Sequence, residues 1–112
     1  MKKITLTCAH AIVKYLIAQK ILINGKKEPL FPGVFGIFGH GNVACLGQAL
    51  EENQKDLPTY RGHHEQNMAL TGIGYARAKR RQQIFVATSS VGPGATNMVT
   101  AAAVAMSNRL PI

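Results

Sequence analysis

The sequence predicts an α/β fold, a mainly parallel sheet flanked by helices. Three observations predict it. Segments with apolar residues at helical spacing alternate with short apolar runs rich in β-formers. The order is one helix, then strand and helix three times, the pattern of a parallel sheet wound through crossover helices. Each predicted strand runs into a loop of glycine and polar residues, and ligands of open parallel sheets bind at that edge. The chain has 112 residues and is 46% hydrophobic, enough for one domain, 1–112, with a core of its own.

The elements follow in order. Thr5 or Thr7 is placed to cap a first helix over about 7–21, where Ala9, Ile12, Val13, Leu16 and Ile17 recur on one face. Asn24-Gly25 marks a turn, and the polar, proline-flanked stretch 26–32 reads as a surface loop. A buried strand is expected over 34–38. Asn42 then stands where it can cap a helix over about 43–52, with Val43, Leu46, Ala49 and Leu50 on one face. A weak strand spans 58–61. Residues 64–77 read as a third helix, whose Ala69, Gly72, Ile73 and Ala76 imply close packing. The clearest strand is 84–88, Ile-Phe-Val-Ala-Thr. A loop over 89–94 opens an Ala-rich helix over 95–106. Leu110-Pro111-Ile112 stand where another strand is expected to begin, so the chain is expected to be a fragment of a longer protein.

The charge balance is +8, which fits nucleic acid or another anionic surface. The cations are scattered, however, and the single cluster, Arg77-Ala78-Lys79-Arg80-Arg81, reads as a solvated helix end. No aromatic residue is interleaved with it, so a nucleic-acid partner is not expected. Cys8 and Cys45 form no CxxC and read as buried, inert side chains in a reducing, cytoplasmic setting. The basic start Met1-Lys2-Lys3 precedes an apolar run broken by His10 and Lys14, which is not a signal peptide. No stretch has the roughly 18 apolar residues of a membrane span.

Chemistry is expected on the three loops at the sheet edge. Gly39-His40-Gly41-Asn42-Val43-Ala44 fits the dinucleotide pattern G-x-G-x-x-A between strand and helix. The acid that should follow the next strand is missing, and Arg61 stands there instead. The glycines either let a ligand approach or simply permit a tight turn. In His63-His64-Glu65-Gln66 the adjacent histidines face different ways on a helix, so they make a poor metal site. Glu65 is either a functional carboxylate or one stabilised by the dipole of its own helix. Ser90-Val91-Gly92-Pro93-Gly94-Ala95-Thr96-Asn97 opens a helix, lacks the P-loop pattern, and has glycines that would let a flat ring approach the backbone. With five acids in the chain and Glu65 alone at this edge, a paired-carboxylate mechanism is not expected.

The ordered set Val34-Phe35-Gly36-Ile37-Phe38-Gly39, His64-Glu65-Gln66 and Gly92-Pro93-Gly94-Ala95-Thr96-Asn97 resembles the acetolactate synthase and pyruvate decarboxylase superfamily of thiamine-diphosphate enzymes. The likeness spans about 5–112. A narrower resemblance, to the trihydroxycyclohexane-1,2-dione hydrolases of inositol breakdown, rests on Ile37 through Val43, the longer connection over 19–33, and Arg80-Arg81-Gln82-Gln83-Ile84. The superfamily likeness implies an N-terminal, pyrimidine-binding domain. It implies that Glu65 hydrogen-bonds N1′ of the cofactor's aminopyrimidine and favours the imino tautomer, which takes a proton from the thiazolium C2. It also implies that Pro93 and Asn97 lie beside the pyrimidine, that Phe38 and Gly39 lie near the thiazolium, and that His40 faces the substrate, a cyclic diketone or a 2-oxo acid. Mg²⁺ and the diphosphate are implied to bind a Gly-Asp-Gly segment of another domain. This chain has none, so it supplies no metal ligand and is expected to be inactive alone. A homo-oligomer is implied, with the site between subunits. Acetolactate-type condensation, 2-oxo-acid decarboxylation and a dinucleotide-binding or interaction domain remain the alternatives.

Overall fold

The computed structural model describes residues 3–112. The basic start at Met1 and Lys2 lies outside the described residues. Helix α1 (Cys8–Ala18) is capped by Thr7, whose hydroxyl accepts from the His10 amide at 3.2 Å. The helix buries Ala9 and Val13 and half-buries Leu16 and Ile17. Ile12, expected on the same face, is 48% exposed.

The helix ends three residues short of the expected 21. Strands β1 (Lys20–Ile23) and β2 (Lys26–Pro29) follow as an antiparallel hairpin where a helix tail and a surface loop were expected. The cause is local. Asn24 and Gly25 both take left-handed backbone, φ 51° and 77°, the geometry that matches strand twist in a two-residue hairpin. The apolar run Ile21-Leu22-Ile23 fits either period, and the charged, solvated Lys26-Lys27-Glu28 gives no alternation to reveal its strand.

Strand β3 (Val34–Gly36) stops two residues before the expected end. A π-helical turn, Val43–Gly47, leads into α2 (Gln48–Glu52), so the expected helix is only half α. Strand β4 (Thr59–Arg61) precedes α3 (Glu65–Ala78), which His64 caps by accepting from the Asn67 amide at 3.4 Å. Strand β5 (Val86–Thr88) runs into α4 (Pro93–Thr96) and α5 (Val99–Asn108), two helices where one was expected.

The sheet order is β4-β3-β5, all parallel. Val34 lies opposite both Thr59 and Val86, and Gly36 opposite both Arg61 and Thr88. This register brings the three strands to an end at one level, so the loops that follow share one edge. Helices cover both faces. On one, Ala9, Val13, Val34, Ala49, Leu50 and Leu57 form the core between the sheet and α1–α2. On the other, Ala69 and Ile73 of α3 meet Ala101 and Ala105 of α5. Small residues let these helices approach closely. Phe35 stacks on Phe85 at 4.5 Å, and Tyr75 meets Phe85 edge-on at 4.8 Å. The buried amide of Gln83 is satisfied, accepting from the Tyr75 hydroxyl and donating to the Pro29 carbonyl.

Two expectations about side chains are decided here. Both cysteines are exposed free thiols, not buried ones, because Cys8 opens α1 on its outer side and Cys45 sits on the solvent side of the π-turn. The basic cluster is solvated as expected. Arg81 turns back to donate to the carbonyls of Arg109 and Asn108 at the end of α5, where a cation suits the helix dipole. That cluster ends α3, at the edge opposite the three loops. Among the described residues, no helix is long and apolar enough to cross a membrane.

Candidate functional site

The three loops at the sheet edge are stitched together by packing and by one amide. Asn42 does not cap the helix that follows it. Its Oδ1 accepts from the Gly39 amide at 2.8 Å, and its Nδ2 donates to the Ser89 carbonyl at 3.0 Å and, more weakly, to that of Ile37 at 3.4 Å. The side chain fastens the loop after β3 to the loop after β5. Glycine makes the contact possible: a Cβ on Gly39 would run into the Ser90 side chain, and one on Gly41 would press on Val91. The Cβ side of each glycine in the G-x-G-x-x-A segment is therefore taken up by protein, which is the packing half of what those glycines permit. Ser90 touches the space over both Gly39 and Gly94, a position the motif reading did not single out.

Glu65 opens α3 on this same edge. Its Oε2 accepts from Asn97 Nδ2 at 3.1 Å, across 32 residues of sequence. Asn97 Nδ2 also lies 3.3 Å from His64 Nε2. The other carboxylate oxygen stands 2.7 Å from where a Gly94 Cβ would be, so glycine is what leaves it room. The Asn97 hydrogen bond, first, and the amide of Glu65 itself hold the carboxyl below its ordinary pKa of 4.5. Partial desolvation opposes them, and attraction to His64 adds a little. The structure thus brings together Glu65, Gly94 and Asn97, with Pro93 as the first residue of α4 next to them. The helix-dipole reading of Glu65 is incomplete, because a tertiary partner holds the carboxylate.

The remaining expected residues lie on the loop after β3. Phe38 folds its ring over Gly36 and Gly47 and joins the α1–α2 core. Gly39 packs on Ser90, and His40 is exposed on the turn. A cavity of about 420 Å³ opens beside them, lined by Ile37, Phe38, Val43, Arg61, Gly62 and His63. Arg61 and His63 stand at the loop after β4, one of the three on which ligand contact is expected, though neither is given a role in cofactor or substrate binding there. The basic residue ending a strand was the available signal. Among the described residues, no three His, Cys, Asp or Glu side chains converge as a metal site.

Known proteins resemble this chain along its whole length. Residues 27–112 match the family described as thiamine pyrophosphate enzyme, N-terminal TPP binding domain. Over all 112 residues the chain is 53% identical to a 3D-(3,5/4)-trihydroxycyclohexane-1,2-dione hydrolase of Geobacillus thermodenitrificans, of which it covers 18%. It is 49% identical to the protein of that name from Clostridium tetani and 47% identical to that from Bacillus thuringiensis, covering 17% of each. The chain thus spans under a fifth of the length of these relatives. By its sheet, its motifs and this match, the chain belongs to the N-terminal TPP-binding domain family of thiamine pyrophosphate enzymes.

Proposed function

We propose that the chain is the pyrimidine-side half of the active site of a thiamine-diphosphate enzyme that breaks a carbon–carbon bond next to a carbonyl. Its substrate is trihydroxycyclohexane-1,2-dione, opened by water. One observation carries the reading: the Glu65 carboxylate is held by Asn97 over the bare α-carbon of Gly94. The relatives' names supply the substrate.

The residues present fit the pyrimidine end of the cofactor. A carboxylate oxygen faces a gap that any side chain at position 94 would fill, and a flat heterocycle with an N–H donor suits that gap. When bound, thiamine diphosphate supplies a nucleophilic carbon and an electron sink. Glu65 would hydrogen-bond N1′ of the pyrimidine and hold a proton between its carboxylate and that nitrogen. Asn97 fixes the carboxylate's direction and keeps it ionised. Pro93 and Gly94 offer a flat, rigid wall to the ring. Phe38 and Gly39 would hold the thiazolium side, and His40 would serve the substrate carbonyl or its oxyanion. Mg²⁺ and the diphosphate belong to a further domain. The enzyme works as a homo-oligomer whose site is shared between subunits. Val99 and Met106, seven residues apart and both exposed on α5, give an apolar face for such contact. Two exposed thiols suit a reducing, cytoplasmic setting.

The test is a chimera in which this chain replaces the matching 18% of the Geobacillus relative. The chimera should hydrolyse the diketone. Glu65→Gln in it should lower turnover by about 100-fold or more, the range for a lost proton-handling group, with an unchanged melting temperature. A folded Glu65→Gln chimera with undiminished turnover would sink the proposal.

A further inference from the structure

Resting on the hydrolase reading above, we infer that the cavity between the loops after β3 and β4 is a carboxylate subsite, with Arg61 as its anchor and the ring-opened product as its ligand. Arg61 ends β4 directly opposite Gly36, and the Gly62 amide donates to the Gly36 carbonyl at 3.1 Å, so the backbone beneath the guanidinium is pinned to the sheet. Met68 of α3 packs so closely under Gly62 that a Cβ there would collide with its sulfur, which sets the height of the 61–63 loop. His63 lines the same cavity, and its imidazole carries an N–H donor in either tautomer.

Among the described residues, no acidic side chain pairs with Arg61: the one ion pair is His10–Glu52, on the α1–α2 side, and no acid lines the cavity. The opposite wall, Ile37, Phe38 and Val43, is apolar. Arg61 is exposed and also borders a neighbouring cavity with Phe35 and Tyr60. An arginine sharing a cavity with apolar side chains suits a small organic anion, and its planar fork matches a carboxylate. The volume, about 420 Å³, lies within the range of small-molecule sites. The cavity opens on the same edge as Glu65, two residues beyond His63.

The proposed reaction makes such an anion. Hydrolysis breaks the bond between the two adjacent carbonyl carbons. One carbon gains the hydroxyl of water and becomes a carboxylic acid, and the other gains hydrogen and becomes an aldehyde. One carbonyl carbon is oxidised and the other reduced, so no outside oxidant is needed. The acid ionises at neutral pH. The substrate is neutral and the six-carbon product is a monoanion, so a cation on this edge of the sheet favours the product side.

The experiment is an amide NMR titration of the chain with D-gluconate, a hydroxylated six-carbon monocarboxylate. The expected result is saturable shifts at Ile37, Gly62 and His63. Arg61→Gln should weaken binding by about ten-fold or more, Arg61→Lys should weaken it less, and Lys27→Gln, an equal charge change on the far hairpin, should leave it unaltered. Absent shifts at those three amides, equal affinity in Arg61→Gln with a dispersed native spectrum, or preference for inorganic pyrophosphate over gluconate each overturns the inference. Glu65→Gln should leave gluconate binding intact, so the subsite and the cofactor reading fail separately.

Discussion

Gly94→Ala separates the stability of this domain from the setting of its carboxylate. Gly94 lies inside α4, with backbone that alanine adopts freely, and the exchange should stabilise the helix by about 0.5–1 kcal/mol. At roughly 4 °C per kcal/mol for a domain of this size, the melting temperature should rise by a few degrees or stay level. The new methyl would sit 2.7 Å from Glu65 Oε1, whereas ordinary contact begins at 3.4 Å. The carboxylate is the far end of a flexible side chain, so it will swing by about 0.7 Å rather than strain the backbone. Its bond to Asn97, made by the other oxygen, is already 3.1 Å long, and turning the carboxyl away from position 94 should weaken it. The first cause of the lowered Glu65 pKa is then weakened, and the group should titrate closer to its ordinary 4.5. Carboxyl ¹³C NMR against pH reads this directly, and a thermal melt reads stability. An unmoved Glu65 titration in Gly94→Ala, or a melting temperature depressed by ten degrees or more, would refute the reasoning.

Asn97→Ala should raise the Glu65 pKa in the same direction without any steric push, by the same titration. Glu65 and Glu52 both have folded-state pKa values below 4.5, so each contributes stability that is present above the unfolded value and fades as pH falls through the folded one. Thermal melts of Glu65→Gln and Glu52→Gln should therefore lose part of the acid-side slope below about pH 4.5, and slopes identical to the parent chain would contradict the assignment. Leu57→Ala removes a fully buried side chain of the α1–α2 core and should cost about 2–5 kcal/mol in urea melts. Gly25→Ala meets no atom within 4 Å but must hold φ at 77°, so a loss of about 1–2 kcal/mol from backbone alone is expected in the same melts. Val99→Glu with Met106→Glu, both on the exposed side of α5, should shift sedimentation of the chain toward monomer at high concentration. A parent chain that is monomeric throughout would remove the oligomer proposal.

Local order determined much of this protein. The apolar spacing of α3, the Ile-Phe-Val-Ala-Thr run of β5 and the strand–helix alternation carried the α/β class, because each depends on neighbours a few residues apart. Glu65 and the Gly92–Asn97 segment were legible for the same reason, as short motifs at fixed spacing. The hairpin over 20–29 was not legible, since three apolar residues suit either period and its exposed partner strand carries no pattern. Burial was misread at Cys8, Cys45 and Ile12, because composition says what a side chain prefers and packing says where it sits. Asn42 was read as a helix cap, and the folded chain uses it to tie two loops together. Only the parallel register, which ends Gly36, Arg61 and Thr88 at one level, brings Asn97 to Glu65 and sets Arg61 beside Phe38. Contacts between residues tens of positions apart are set by how strands pair and helices stack, and no local pattern encodes that distance.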